Sequence, residues 1–189
     1  MKIAITGHTA GIGRSFAGYL AKRGHEIVGL SKRDGNNIRN TPKIVAQITE
    51  CDMWINNAQS GYAQTELLYK VVEAWKDDHS KMIWNISTMM TTQDKLPTME
   101  GLSPTALMEY KNQKRALEDA HHELKYQGPR LCLIRPGAVA TQPYNQSGTN
   151  AADVDQWVST VCDFYIQCRV NDLWPEEISL GFRLLAPNI

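Results

Sequence analysis

Neither acidic nor basic side chains are in excess in this sequence, so no surplus of charge marks it for a charged partner. Of its 189 residues, 20 are Lys or Arg and 20 are Asp or Glu, which gives a formal net charge of +0. Nucleic acids and anionic membrane surfaces attract proteins with clustered basic residues. We therefore expect no nucleic acid and no membrane as a partner, and a small molecule instead.

Cysteine pairs and long apolar runs are also lacking. Cys51, Cys132, Cys162 and Cys168 form no C-x-x-C pair, so we expect neither a disulfide framework nor a metal site. No apolar run approaches the ~20 residues of a membrane span, and the N-terminus opens on a strand pattern rather than a cleavable signal. These features indicate a cytoplasmic protein. Its length of 189 residues fits one domain over residues 1–189.

A strand pattern, a glycine-rich turn and a helix pattern stand at the beginning of the chain. The apolar residues 3–6 precede Gly7, Gly11 and Gly13, and an amphipathic segment follows them. Such a turn leaves backbone N–H groups at a helix N-terminus, where these donors and the helix dipole attract phosphate. The spacing is G-x-x-x-G-x-G rather than the commoner G-x-G-x-x-G. The turn predicts a phosphate-binding site.

Strand and helix patterns alternate along the rest of the chain. Strands are predicted at residues 3–6, 26–30, 53–56, 82–86 and 131–134, with a rudimentary one at Ile38. Helices are predicted after the glycine turn, from Thr41, and at 64–78, 104–126, 152–168 and 175–185, with a flexible flap at 141–150. Strands joined by helical crossovers form parallel sheets. The predicted fold class is α/β, a doubly wound and mostly parallel sheet of about six strands with helices on both faces.

Five motifs follow in order at the ends of predicted strands or on a helix. They are the glycine turn, Asn56-Asn57-Ala58, Ser87-Thr88, Tyr110-x-x-x-Lys114 and Pro136-Gly137-x-Val139-x-Thr141. Together they resemble the short-chain dehydrogenase/reductase family over roughly residues 3 to 185. Open parallel sheets bind ligands at the carboxyl ends of their strands. The resemblance implies a Rossmann-type sheet that binds a nicotinamide dinucleotide at this edge.

Tyr110 and Lys114 are four residues apart on one predicted helix, so their side chains share a face. Lowering the pKa of a phenol from ~10 to near 7 requires roughly 4 kcal/mol. One ammonium about 4 Å away supplies energy of that order at an effective dielectric near 20. The resemblance implies that Tyr110 exchanges a proton with the substrate oxygen and that Lys114 also holds the nicotinamide ribose. Thr88 is the first choice for the positioning hydroxyl and Ser87 the second.

The resemblance also implies a set of cofactor-binding residues. Besides Tyr110 and Lys114 they are Gly7, Thr9, Gly11, Ile12, Gly13, Ser31, Lys32, Arg33, Asn57, Ala58, Pro136, Gly137, Val139 and Thr141. A carboxylate at the end of the second strand would repel a 2′-phosphate, whereas a cation favours it. Lys32 and Arg33 therefore favour NADP(H) over NAD(H), and the nearby Asp34 opposes this interpretation.

Three features expected of the family are shortened or absent. Residues 33–53 are too few for a helix, a strand and a second helix. The family's helix-borne asparagine, which helps to hold a water in the proton relay, would fall near Gln64 or Thr65. Too few residues follow Leu185 for a last strand. We expect a six-stranded sheet with a reduced substrate lid.

The leading hypothesis is an NADP(H)-dependent carbonyl reductase or alcohol dehydrogenase with a small carbonyl or alcohol substrate. One alternative is a dinucleotide-binding sensor or regulatory protein with little turnover. Another is an enzyme similar to the sugar-nucleotide epimerases and dehydratases. His121 and His122 are interpreted as a surface pair rather than metal ligands. A homodimer is also expected, with contacts at Leu68, Val72, Trp75, Leu117 and Leu124.

Overall fold

A six-stranded parallel sheet forms the centre of the structure, a computed structural model that describes residues 1–96, 101–141 and 151–181. The strands are β1 (Lys2–Thr6), β2 (Glu26–Leu30), β3 (Met53–Asn56), β4 (Met82–Ile86), β5 (Arg130–Pro136) and β6 (Glu177–Leu180). The helices are α1 (Gly11–Lys22), α2 (Thr41–Thr49), α3 (Ala63–Trp75), α4 (Pro104–Leu124) and α5 (Val154–Val170). Two short 3-10 helices lie at Lys32–Asp34 and Met89–Thr92.

The strands are ordered β2-β1-β3-β4-β5-β6 across the sheet, and every neighbouring pair is parallel. From β1 the chain moves outward to β2, returns through α2 to β3 on the other side of β1, and then continues in one direction. Such a reversal opens a crevice at the carboxyl ends of the two strands beside it. The predicted α/β class and the shortened crossover between β2 and β3 are confirmed.

One predicted strand and one predicted helix are wrong. Ile38 lies in a turn, and residues 177–180 form β6 rather than part of a helix at 175–185. Ile178 is buried between the exposed Glu177 and Ser179, which is the alternation of a strand. Because β6 pairs with β5, the last strand expected to be missing is present.

The helices cover both faces of the sheet. On one face α2, α3 and α4 bury a cluster that includes Trp54, Leu67 and Leu117. On the other face α1 and α5 bury a second cluster. There the Phe16 ring meets Trp84 and Trp157 edge-on, at centroid distances of 5.8 and 6.4 Å. A sheet covered on both faces needs the nearly continuous apolar strands found in this sequence.

The side chains predicted as homodimer contacts lie inside this core. They are Leu68, Val72, Trp75, Leu117 and Leu124, none more than 6% exposed. Side chains packed within one chain offer little surface to a second copy, so their assignment as dimer contacts is wrong. No helix in the three described ranges is long and apolar enough to cross a membrane.

Phe16→Ala should lower the free energy of unfolding by about 3–5 kcal/mol, because it removes a fully buried ring between two tryptophans. Denaturant titration measures the loss. Phe164→Ala is the matched control, since the Phe164 ring is 50% exposed and its removal should cost no more than about 0.5 kcal/mol. Equal losses in the two variants would contradict the assigned core.

Candidate active site

In the turn between β1 and α1, the backbone at Gly13 lies close to the backbone at Gly7. Gly7 and Gly11 have φ angles of +74° and +51°, in the left-handed region that glycine tolerates best. A Cβ at Gly13 would overlap the Gly7 carbonyl oxygen and lie 2.6 Å from Asn57 Nδ2. Position 13 therefore requires glycine because of this close approach.

Hydrogen bonds join the end of β1 to the end of β3. Asn57 Nδ2 donates to the Thr6 carbonyl oxygen at 3.0 Å. The Thr6 hydroxyl oxygen accepts the backbone N–H groups of Asn57 and Ala58, at 3.0 and 3.2 Å. The first two motifs thus meet at the crevice where the strand order reverses.

The segment after β5 reaches the same turn. Pro136 is the last residue of β5, and the Gly137 N–H donates to the Leu180 carbonyl oxygen of β6 at 3.1 Å. Val139 pairs with Ala152 in an isolated bridge. A Cβ at Gly11 would lie 3.3 Å from Thr141 Cβ, so Thr141 lies beside the glycine turn. The other residues of the predicted flap, 142–150, lie outside the described ranges.

A cleft of ≈ 810 Å³ opens beside the glycine turn. Seven predicted cofactor-binding residues line it, namely Gly7, Thr9, Ser31, Lys32, Arg33, Asn57 and Ala58. Ile12 instead packs against the apolar cluster beneath α1. The cleft also has polar lining residues that the sequence interpretation missed, which are Asn36, Asn37, Gln59 and Ser60. Their position in the segments that follow β2 and β3 was the available signal, because loops at the carboxyl ends of parallel strands form the ligand crevice.

Cationic side chains stand at the end of β2. Lys32 and Arg33 are exposed, whereas Ser31 is buried and its Oγ accepts the Arg33 N–H at 3.0 Å. Asp34 Oδ2 lies 3.6 Å from His8 Nε2, and Asp34 is not among the residues that line the cleft. The charged side chains at the cleft wall are therefore those of Lys32 and Arg33.

Tyr110 and Lys114 lie on α4 at the carboxyl end of β4. The Lys114 ammonium is 5.7 Å from the centre of the Tyr110 ring. Lys114 is only 3% exposed, and its Nζ donates to the Ile86 carbonyl oxygen and to Gln64 Oε1, each at 2.8 Å. Burial lowers the pKa of Lys114 to about 7, and the Glu118 carboxylate acts in the opposite direction. The group therefore gains and loses its proton near neutral pH.

The two hydroxyls after β4 have different surroundings. Ser87 Oγ donates to Glu118 Oε1 at 2.5 Å, and Glu118 also accepts two hydrogen bonds from Arg135, at 3.0 and 2.9 Å. Ser87 thus belongs to a buried network around an ion pair. Thr88 Oγ1 accepts the Met90 N–H at 3.3 Å at the start of the second 3-10 helix, so its own hydroxyl proton is not used in that bond.

Solved structures resemble this fold, although no family model matches the chain and no curated protein is significantly similar to it in sequence. A short-chain dehydrogenase/reductase from Vibrio parahaemolyticus has a TM-score of 0.73 and 16% identity, over 96% of this chain and 100% of its own. The chain has the short-chain dehydrogenase/reductase fold. A short chain dehydrogenase from Burkholderia cenocepacia J2315, in complex with NADP, has a TM-score of 0.68 and 15% identity over 95% and 87% of the two chains. The 3-alpha-hydroxysteroid dehydrogenase from Pseudomonas sp. B-0831, complexed with NADH, has a TM-score of 0.67 and 18% identity over 95% of each chain.

Gln64 stands where the resemblance to short-chain dehydrogenases led us to look for an asparagine. It lies in the first turn of α3, is 2% exposed, and contacts Lys114 directly. The sequence alone does not assign Gln64 to the site, because the expected residue type is absent there. The available signal was its position, since glutamine carries the same amide as asparagine one methylene further out.

His121 is buried, so its interpretation as half of a surface pair is wrong, whereas His122 is exposed. His121 lies on the same face of α4 as the buried Leu117 and Leu124, four residues before it and three after it. Its Nδ1 is 3.1 Å from Asn85 Nδ2. Burial lowers the pKa of His121 to about 4, which keeps the ring neutral at physiological pH.

Gly13→Ala should destabilise the protein by about 1–3 kcal/mol, because the added methyl group must displace the glycine turn or Asn57. Gly18→Ala is the matched control within α1, where a Cβ meets no other atom within 4 Å. It should stabilise the protein by about 0.5–1 kcal/mol. Thermal or denaturant unfolding measures both variants, and effects of the same sign would contradict the described packing of the turn.

Proposed function

We propose that the chain is a member of the short-chain dehydrogenase/reductase family and transfers a hydride between NADP(H) and a small carbonyl or secondary-alcohol substrate. The observation that carries the proposal is the pair on α4, with the Lys114 ammonium 5.7 Å from the Tyr110 ring. This pair lies at the same edge of the sheet as the glycine turn. The dehydrogenases of similar fold that are described in complex with NADP or NADH support the same class of reaction.

The residues around the crevice fit a nicotinamide dinucleotide. The glycine turn provides a close backbone approach and a helix N-terminus for the pyrophosphate. Asn57 and Ala58 would line the adenosine ribose, and the segment with Gly137, Val139 and Thr141 would contact the nicotinamide amide. When bound, the nicotinamide supplies or accepts the hydride.

The side chains at the end of β2, where a 2′-phosphate would bind, favour NADP(H) over NAD(H). Lys32 and Arg33 line the cleft, and the end of β2 carries the hydroxyl of Ser31 in place of a carboxylate that would repel phosphate. The carboxylate of Asp34 is directed to His8. The balance of charge at the cleft wall is therefore positive.

Tyr110 would act as the general acid and base by exchanging a proton with the substrate oxygen. The neighbouring Lys114, when charged, favours the phenolate form of Tyr110. Thr88 is the better positioning hydroxyl, because the hydroxyl group of Ser87 is already engaged in a hydrogen bond that it donates to Glu118. Proton exchange at a positioned side chain typically contributes about 10²–10⁴-fold to the rate.

One domain over residues 1–189, a homodimer and a cytoplasmic location complete the proposal. Tyr62 and Met108, at 53% and 48% exposure, offer apolar surface near the N-terminal ends of α3 and α4 to a second copy. The four cysteines are free thiols, which is consistent with a reducing compartment.

NADPH should raise the melting temperature more than NADH at equal concentration. A ligand at 100 times its Kd stabilises the folded state by about 2.7 kcal/mol, so differential scanning fluorimetry will detect binding. Lys32→Ala and Arg33→Ala should reduce the NADPH shift and leave the NADH shift nearly unchanged. Lys70→Ala, an exposed site on α3, is the control for lost charge. No shift with either dinucleotide would refute the proposed function.

Tyr110→Phe should lower turnover at least about 100-fold, because phenylalanine cannot exchange a proton. NADPH binding should persist. The assay follows NADPH absorbance with a panel of ketones and aldehydes, and Tyr69→Phe on α3 is the control for loss of a phenol hydroxyl. A Tyr110→Phe variant with near-normal turnover would remove Tyr110 from the reaction. A wild-type protein that binds NADPH but reduces no carbonyl would favour the sensor alternative.

A further inference from the structure

Neutral oxygen atoms hold the buried Lys114 ammonium from two sides. The Ile86 carbonyl oxygen comes from β4, and Gln64 Oε1 comes from α3, each 2.8 Å from Lys114 Nζ. An ammonium group has three N–H donors. Two of them are engaged by these oxygens, so the described contacts leave one for a ligand.

The orientation of the Gln64 amide is fixed by its surroundings. Gln64 Nε2 donates to the carbonyl oxygens of Asn56 and Ile86, at 2.7 and 3.1 Å. Carbonyl oxygens only accept hydrogen bonds, so a flipped amide would place Oε1 against both of them. The amide oxygen must therefore face Lys114.

Asn56 and Gln64 hold each other through reciprocal bonds. Asn56 Nδ2 donates to the Gln64 carbonyl oxygen at 3.3 Å, while Gln64 Nε2 donates to the Asn56 carbonyl oxygen. Asn56 Nδ2 also donates to Asn85 Oδ1 at 2.9 Å, and Asn85 Nδ2 lies 3.1 Å from His121 Nδ1. A neutral His121 can accept this last bond. Gln64 and Asn56 are therefore joined through each other's backbone carbonyl groups, and the Asn56 side chain is held in turn by Asn85 and His121.

We propose that Gln64 is a positioning residue that holds the Lys114 ammonium at the site through its side-chain oxygen, and that the backbone carbonyl groups of Asn56 and Ile86 orient the Gln64 amide for this purpose. The inference rests on the proposed function for its catalytic meaning. In the family, the resemblance implies that an asparagine helps to hold a water in the proton relay. Here the longer side chain of Gln64 reaches Lys114 itself.

The charged and titratable groups around Lys114 lie on α4 and β5, whereas Gln64 approaches it from α3. Glu118 is one turn further along α4, and both of its carboxylate oxygens are bound by Arg135 of β5. Tyr110 is one turn earlier on α4, and β4 presents the backbone carbonyl of Ile86. A change of charge at position 64 therefore acts on Lys114 from α3, where the native side chain is neutral.

The test is an NMR titration of the Lys114 side chain in the wild type and three variants, with the 13Cε resonance of Lys114 assigned by its loss in Lys114→Met. Gln64→Leu removes the acceptor and should lower the titration midpoint of Lys114 by about one pH unit. Gln64→Glu places an opposite charge beside the ammonium and should raise the midpoint by a similar amount. Gln127→Leu, an exposed glutamine near the end of α4, is the matched control and should leave the midpoint unchanged.

Shifts of opposite sign in Gln64→Leu and Gln64→Glu support the proposal, because general unfolding cannot produce them. An unchanged midpoint in both variants, or a shift of the same sign, overturns it. If Gln64→Leu does not fold, the comparison between Gln64→Glu and the wild type decides, and a midpoint that does not rise refutes the proposal.

The outcome of this experiment does not depend on whether the proposed function is correct. The titration needs neither cofactor nor substrate, so it can succeed in a protein that never binds NADPH. Where turnover is measured, the pH profile of kcat in Gln64→Glu should move in the same direction as the Lys114 midpoint, with KM for NADPH changing less than kcat.

Discussion

The site depends on one close approach, between the first turn of α1 and the carbonyl group of Gly7. Because position 13 has no side chain, the Asn57 amide can occupy the adjoining space and donate to the Thr6 carbonyl oxygen. This contact joins α1, β1 and β3 at the point where the strand order reverses. The cleft and the α4 residues are then arranged around a single edge of the sheet. A methyl group at Gly13 would act on all of these elements at once.

The short crossover through α2 leaves β2 as an edge strand and changes how the side of the cleft beside β2 is built. A further strand beyond β2 would provide a rigid wall there. In its place the segment after β2 provides Asn36, Asn37 and the exposed cations Lys32 and Arg33. Recognition on this side must therefore come from charge and hydrogen bonding more than from shape. A phosphate-bearing ligand suits such a surface, because charge-assisted hydrogen bonds are the stronger ones.

Most of the architecture could be predicted from the sequence, because turn glycines, strand ends and helix periodicity are local signals. The sheet class, the shortened crossover and the meeting of the glycine turn with Asn57 and Thr141 follow from them. The errors concern segments whose environment is set by distant residues. The four residues of β6 are a strand because β5 offers a pairing edge, and the alternation of Ile178 with its polar neighbours was too brief to outweigh a helical pattern. His121 was wrongly predicted to lie at the surface because histidine is a polar residue type, although its position places it on the buried face of α4. Gln64 was missed because its contact with Lys114 spans 50 residues of sequence.

The hydrogen-bond partners of Lys114 are neutral, so they fix the position of its ammonium group without stabilising its charge as a carboxylate would. A carboxylate in contact with a buried ammonium would hold it in place but would also raise its pKa, and the proton would then stay bound near neutral pH. Amide and backbone oxygens supply hydrogen bonds without that charge, so Lys114 keeps a fixed position while burial brings its pKa to about 7. Glu118, whose carboxylate raises the pKa of Lys114, is bound through both oxygens by Arg135, which weakens its attraction for the ammonium. A lysine arranged in this way can adjust its charge to that of a neighbouring phenol, and the cost of burying it is met by hydrogen bonds rather than by an ion pair.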